Sequence, residues 1–351
     1  MNIEKINNLI NYIINNYKII KYDKIIKDFT EKDKQELYDK IKLKDLINKK
    51  SYIGKECIEL KKHNIINIKF NNINIEINIY TYEDFNNDKL INNIVYRIYN
   101  MIQLFYKGDI KKLIIYMLLY NCPRVIPLTY NKSPNEMKDI IYENNLFNCV
   151  NGWVRYIDNY NEILITRLLT CEGLLIHELC HLCDLDFGGY NVFNEWDNYK
   201  KKYNINVKSK FTEGINNAIS SIIHGIFNSI ENKNNVKLYL DGEYYYSRDL
   251  VGNLLHYFKC KNIKELINKK CYNQISMMFE YIVIRYCYLK YINELYHLDN
   301  NFKDIDNKGY FNKFIKKLEN IENKNIEFNK NMIIKINNKI SHYIRMEYYL
   351  L

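Results

Sequence analysis

The chain has 351 residues, 47% hydrophobic and 26% charged, which excludes a disordered chain and leaves room for one large domain or two modest ones. Its formal charge of +10 is diluted among acids with no compact Lys/Arg run, so a solvated surface is the preferred reading over a nucleic-acid patch. Only 3 prolines and 11 glycines can interrupt elements, which favours long helices over a glycine-rich all-β fold.

Taken in chain order, residues 1–60 are helix-like, with apolar positions three and four apart at Ile6, Leu9, Ile10, Ile13 and Ile14. From Ile65 to Tyr82 the period changes to two, the pattern of a β-hairpin turning near Asn71-Asn72. A helix over about 88–106 follows, then an apolar strand at Leu113–Tyr120 and a loop holding Pro123, Pro127 and Pro134. That strand is the longest apolar run and is far too short to cross a bilayer. A second hairpin is expected at Val150–Tyr156 and Ile163–Thr166, then a helix over Cys171–Cys183 stopped by Gly188-Gly189. A loop of some twenty residues leads to a helix from Thr212 to about Ile230. The rest reads as helices, with Ser247 as N-cap of a helix over Arg248–Phe258. The expected fold is α+β, with an N-terminal helical segment plus hairpin (1–84), a core (85–240) and a C-terminal helical region packed on it (241–351).

The chemistry lies in His177-Glu178-Leu179-Cys180-His181, an H-E-x-x-H sequence. On a helix, residues four apart share a face, so both imidazoles can aim at one metal ion. Glu178 lies beside them, where its carboxylate can take a proton from water at the metal. The apolar Leu174-Leu175-Ile176 leads into the motif. The metal expected is zinc, one per chain, and it needs a third protein ligand with one position left open. Glu213, at the start of the next long helix, is the favoured ligand. His224 is the main alternative, with Asp184, Asp186 and Glu195 behind it.

The run Glu213-Gly214-Ile215-Asn216-Asn217 resembles the third-ligand helix of the thermolysin-like zinc peptidases, the gluzincins, with Asn217 where that family has an Asp supporting a ligand histidine. His224-Gly225-Ile226-Phe227 resembles the third-ligand stretch of SprT-like DNA-repair proteases, although 43 residues separate it from His181. His-Glu-Leu-Cys-His-Leu-Cys-Asp is similar to the lethal-factor-like peptidases, where Asp184 would orient His181 or cap the helix end. More widely, residues 85–295 resemble metallopeptidases encoded by large DNA viruses of the poxvirus and mimivirus kind, through Asn148–Gly152, Ile163–Arg167, the motif, Phe211-Thr212-Glu213 and Phe279-Glu280-Tyr281. These resemblances imply a zincin-like core and a zinc-dependent endopeptidase with Glu178 as general base.

In zincins the substrate commonly lies along an edge strand before the active-site helix, a role that Ile163–Thr166 would fill. Candidates for stabilising the oxyanion are Tyr190, Tyr199, Tyr203 and His224, and with 34 tyrosines the sequence does not choose. Cys180 and Cys183 read as buried thiols rather than zinc ligands, and nine scattered cysteines fit a reducing compartment such as cytoplasm better than a disulfide framework. No secretory signal is visible at the first residues. Residues 141–200 carry nine acids against three bases, which points to a protein or peptide substrate with basic segments. The rival reading is a protein that keeps zinc as a clamp and acts by binding host or virion proteins; retention of Glu178 opposes it.

Overall fold

Lys112–Tyr120 is apolar on both of its faces, and a strand of that kind is stable only where both faces of its sheet are covered. A computed structural model describes residues 4–40, 60–120, 152–168, 171–187, 192–203, 206–207, 211–257, 259–268, 273–274, 280–298 and 307–321. They form two compact units.

The first unit is built on a six-stranded sheet. Its strands are β1 (Lys24–Asp28), β2 (Lys62–Phe70), β3 (Ile73–Thr81), β4 (Lys112–Tyr120), β5 (Gly152–Ile157) and β6 (Tyr160–Arg167), in the order β1-β2-β3-β4-β6-β5. The hairpin β2–β3 turns at Asn71, whose φ of 50° is a left-handed conformation that Asn tolerates. β3 runs parallel to β4, and β4 parallel to β6, with Ile77 beside Ile115 and Ile115 beside Ile163. The crossover from β3 to β4 is the helix Asp88–Phe105 (α3), capped by the Asn87 side chain accepting from Leu90 N–H at 3.0 Å. One sheet face carries Ile114, Tyr116, Leu118 and Leu164, packed with Phe29 and with Leu37 of the helix Glu31–Lys40 (α2). The opposite face, with Ile115, Met117, Ile163 and Ile165, is the one left for α3 and for the helix Cys171–Leu182 (α4), which pack on each other. Each fully buried Ile or Leu there contributes about 1.5–3 kcal/mol.

The second unit is helical. It holds α1 (Asn7–Asn16), α5 (Val192–Tyr203), α6 (Phe211–Glu231), α7 (Val236–Tyr257), α8 (Ile263–Asn268), a π-helical turn Glu280–Ile284 running into α9 (Arg285–Lys290), α10 (Ile292–Leu295) and α11 (Asn307–Glu319), with the short parallel strands β7 (Asn206–Val207) and β8 (Asn273–Gln274). α6 packs on α1, α7, the π turn and α9. An aromatic cluster of Trp196, Phe211, Phe311 and Phe314 joins α5, α6 and α11.

The chain is therefore α+β. Three expectations change. Lys24–Asp28 is a strand, not helix, and pairs antiparallel with β2. The expected loop after the motif contains α5, because Trp196 and Tyr199 fall on one helical face and are both buried. Ser247 is fully buried in the middle of α7, which begins eleven residues earlier at Val236, so it caps nothing. The three prolines, Gly188 and Gly189 lie outside the described residues. Among the described residues no helix is long and apolar enough to cross a membrane.

Candidate metal centre

α4 is buried all round except at Gly173 and His181, which are half-buried, so packing rather than an amphipathic stripe holds it. It lies on α3 and against β5 and β6. At its first turn Glu172 is buried and pairs with the equally buried Arg97 of α3 at 3.2 Å, while Asn93 donates its amide N–H to the same carboxylate oxygen at 3.2 Å. A carboxylate in the first turn is favoured by the helix dipole. The C-terminal end closes with Cys183 N–H bonded to Leu179 C=O at 2.9 Å and with Asp184 at φ 54°, the left-handed conformation that ends helices. Tyr156 of β5 donates its phenol O–H to the main-chain oxygen of His181 at 3.0 Å.

His177 and His181 meet on one face of α4. Their Nε2 atoms are 3.2 Å apart and their rings stand at 84° to one another. Two nitrogens at that distance are satisfied either by one shared proton or by a cation that takes both lone pairs. Tetrahedral ligands bound at about 2.0–2.1 Å are themselves roughly 3.4 Å apart, so the pair already has the separation such an ion requires. Glu178 is buried next to them. Its carboxylate lies over β5 at Gly152, where an added Cβ would stand 3.2 Å from Glu178 Oε1 and 2.9 Å from Leu164 C=O. Only glycine leaves that carboxylate its place.

Among the described residues, His177, His181 and Glu213 form a group whose ligand atoms all lie within 4.8 Å of one another and could hold a metal ion. Glu213 sits in the first turn of α6, half-buried, and Tyr281 of the π turn directs its phenol O–H toward Glu213 Oε2 at 3.4 Å. His224 is buried on the same helix, eleven residues and about 16 Å along the axis from Glu213, so the two do not serve one ion. Asn217 is buried one turn after Glu213, and its main-chain oxygen accepts from Ser220 and Ser221 at 3.0 and 2.9 Å.

The tyrosine candidates divide differently. Tyr199 is buried against Trp196 and donates to Glu319 Oε1 at 3.1 Å, and burial together with that carboxylate pushes its phenol pKa far up. Tyr203 packs on Tyr199 at 4.8 Å between ring centroids, and Tyr190 lies outside the described residues. Cys180 and Cys183 are buried thiols, as are Cys171, Cys260 and Cys287. Cys183 Sγ faces Met101 C=O at 3.8 Å.

The edge-strand expectation needs correction. Ile163–Thr166 lies in β6, which is flanked by β4 on one side and β5 on the other, so its backbone groups are already used. The edge of the sheet next to the motif is β5, which has β6 as its one neighbour among the described strands. Sequence reading missed Arg97 and named Gly152 and Tyr281 only within the resemblance, without these roles; all three are distant in sequence from the groups they touch. No protein-family model, no curated protein and no solved structure matches the chain.

Chemically, the group offers two imidazoles and one carboxylate, a nitrogen–oxygen set able to hold a metal ion.

Proposed function

We propose that the protein is a zinc-dependent endopeptidase with a zincin-like core, in which His177, His181 and Glu213 hold one zinc ion and Glu178 is the general base. The observation that carries this reading is the convergence of the three ligand atoms within 4.8 Å beside a further carboxylate, that of the buried Glu178, which a closed structural site has no use for. A bound zinc ion supplies Lewis acidity, polarising a peptide carbonyl and acidifying water at the open position. Glu178 takes the proton of the attacking water and passes it to the leaving amine. Burial and the Gly152 backbone hold its carboxylate still while it does so. Among the described strands β5 pairs with β6 alone, and its other edge would offer main-chain donors and acceptors to an extended peptide added to the sheet as one more strand.

Metal content by elemental analysis, on protein purified without affinity metal, tests the ligands. One zinc per chain is expected in wild type and His224→Ala, and none in Glu213→Ala. Cleavage of a mixed peptide library then tests the base: Glu178→Gln is expected to keep its zinc and lose roughly 100-fold or more in rate. Absence of zinc after reconstitution defeats the proposal. Zinc without cleavage of any peptide turns the reading toward a zinc-clamped binding protein.

A further inference from the structure

Glu213 poses a problem that the two histidines do not. Both imidazoles are locked by a helix buried on nearly every side, whereas Glu213 is half-buried on a flexible side chain at the first turn of α6. Ordering a glutamate side chain costs up to about 1.5–2 kcal/mol of rotamer freedom. A carboxylate also has two oxygens, and a ligand that must engage through one needs something to occupy the other.

The π turn supplies it. Glu280–Ile284 sits directly on the first turn of α6, because Gly214 has no side chain: a Cβ there would come within 2.5 Å of Ile284 Cβ and 2.7 Å of Glu280 C=O. Single π turns inside helices recur at functional sites because the extra residue redirects the side chains around it. Here the residue after Glu280 is Tyr281, whose phenol oxygen lies 3.4 Å from Glu213 Oε2.

We propose that Tyr281 is the positioning residue of Glu213: its phenol O–H donates to Oε2 and leaves Oε1 directed to the metal. This rests on the metal-site reading above. At 3.4 Å the contact is longer than a full O–H···O hydrogen bond, so the proposal requires it to tighten when Oε1 is engaged. Partners of this kind, one step behind the ligand, are typically worth ten- to a hundredfold in metal affinity.

The test is zinc affinity of the full chain by competition with a chromophoric chelator, together with the thermal midpoint of the zinc-free protein. Tyr281→Phe is expected to weaken zinc about ten- to a hundredfold, with the zinc-free midpoint unchanged. In a Glu213→Gln background the same substitution is expected to change affinity less than about twofold, because the group it acts through is gone. Equal zinc affinity of wild type and Tyr281→Phe overturns the proposal and leaves the metal site standing. So does an equal loss in both backgrounds, which marks a general structural effect. A wild type that binds no zinc overturns the metal site itself, and this proposal with it.

Discussion

The helices Cys171–Leu182 and Phe211–Glu231 are both buried along most of their length, yet their first turns are fixed by opposite means. The first is fixed by charge, Glu172 against Arg97, inside the unit that holds the sheet. The second is fixed by the lack of a side chain, Gly214 against the π turn, inside the helical unit. The difference sets how each responds to change. An interior ion pair fails steeply when one member is removed, because the other charge stays buried. A close backbone approach fails in proportion to the volume added.

The largest expected effect follows from the ion pair. Arg97→Met should cost about 3–5 kcal/mol in urea unfolding, and Arg97→Met combined with Glu172→Leu should recover most of that loss. A single variant within about 0.5 kcal/mol of wild type, the usual range of a neutral surface change, would mean that charge does not hold this turn.

The segment leaving the first helix gives a second break point, through pH. His297 is buried, with its Nε2 3.2 Å from Leu185 C=O and its Nδ1 3.1 Å from Tyr288 Oη. Burial lowers its pKa from 6.5 to about 4, against the opposing pull of main-chain oxygens at Leu185 and Leu295. Between those values the unfolded chain binds a proton that the folded chain refuses. Stability from this group is complete above about pH 6.5 and falls as the pH drops toward 4, by about 3 kcal/mol in all. Urea midpoints from pH 7 to pH 4 should therefore fall more steeply in wild type than in His297→Phe, and parallel curves would remove the assignment.

The smallest effect belongs to the glycine. Gly214→Ala should cost about 1–3 kcal/mol, the range of an overpacked core, with the proposed metal site weakened as the π turn moves away. If Gly214→Ala were neutral, the two helices would not differ in the way described.

Much of the sheet unit is legible in sequence because its apolar residues alternate with period two, as in Ile73-Asn74-Ile75-Glu76-Ile77 of β3, or run continuously, as in β4. The α4 helix and its histidine spacing are equally legible, since helical geometry alone puts residues four apart on one face. β1 is not legible: Lys24-Ile25-Ile26-Lys27-Asp28 exposes both isoleucines, at 62% and 56%, and is a strand through pairing with β2 rather than through burial. Strand order is a long-range property as well, which is why the sequence offered Ile163–Thr166 as the edge and the fold offers β5. Among 34 tyrosines, the one beside Glu213 is set by a turn 68 residues away. α5 escaped notice because its polar face outweighs the two aromatic residues that anchor it.

Gly152 and Gly214 carry a consequence for how this chain can vary. Every missense change at a glycine codon introduces a Cβ, and at these two positions a Cβ meets main-chain oxygen within 3 Å. No stepwise mutational path leads away from either residue without displacing a neighbour first. Drift can rewrite most of a surface rich in Asn, Ile and Lys, while these two glycines stay pinned by the space around them.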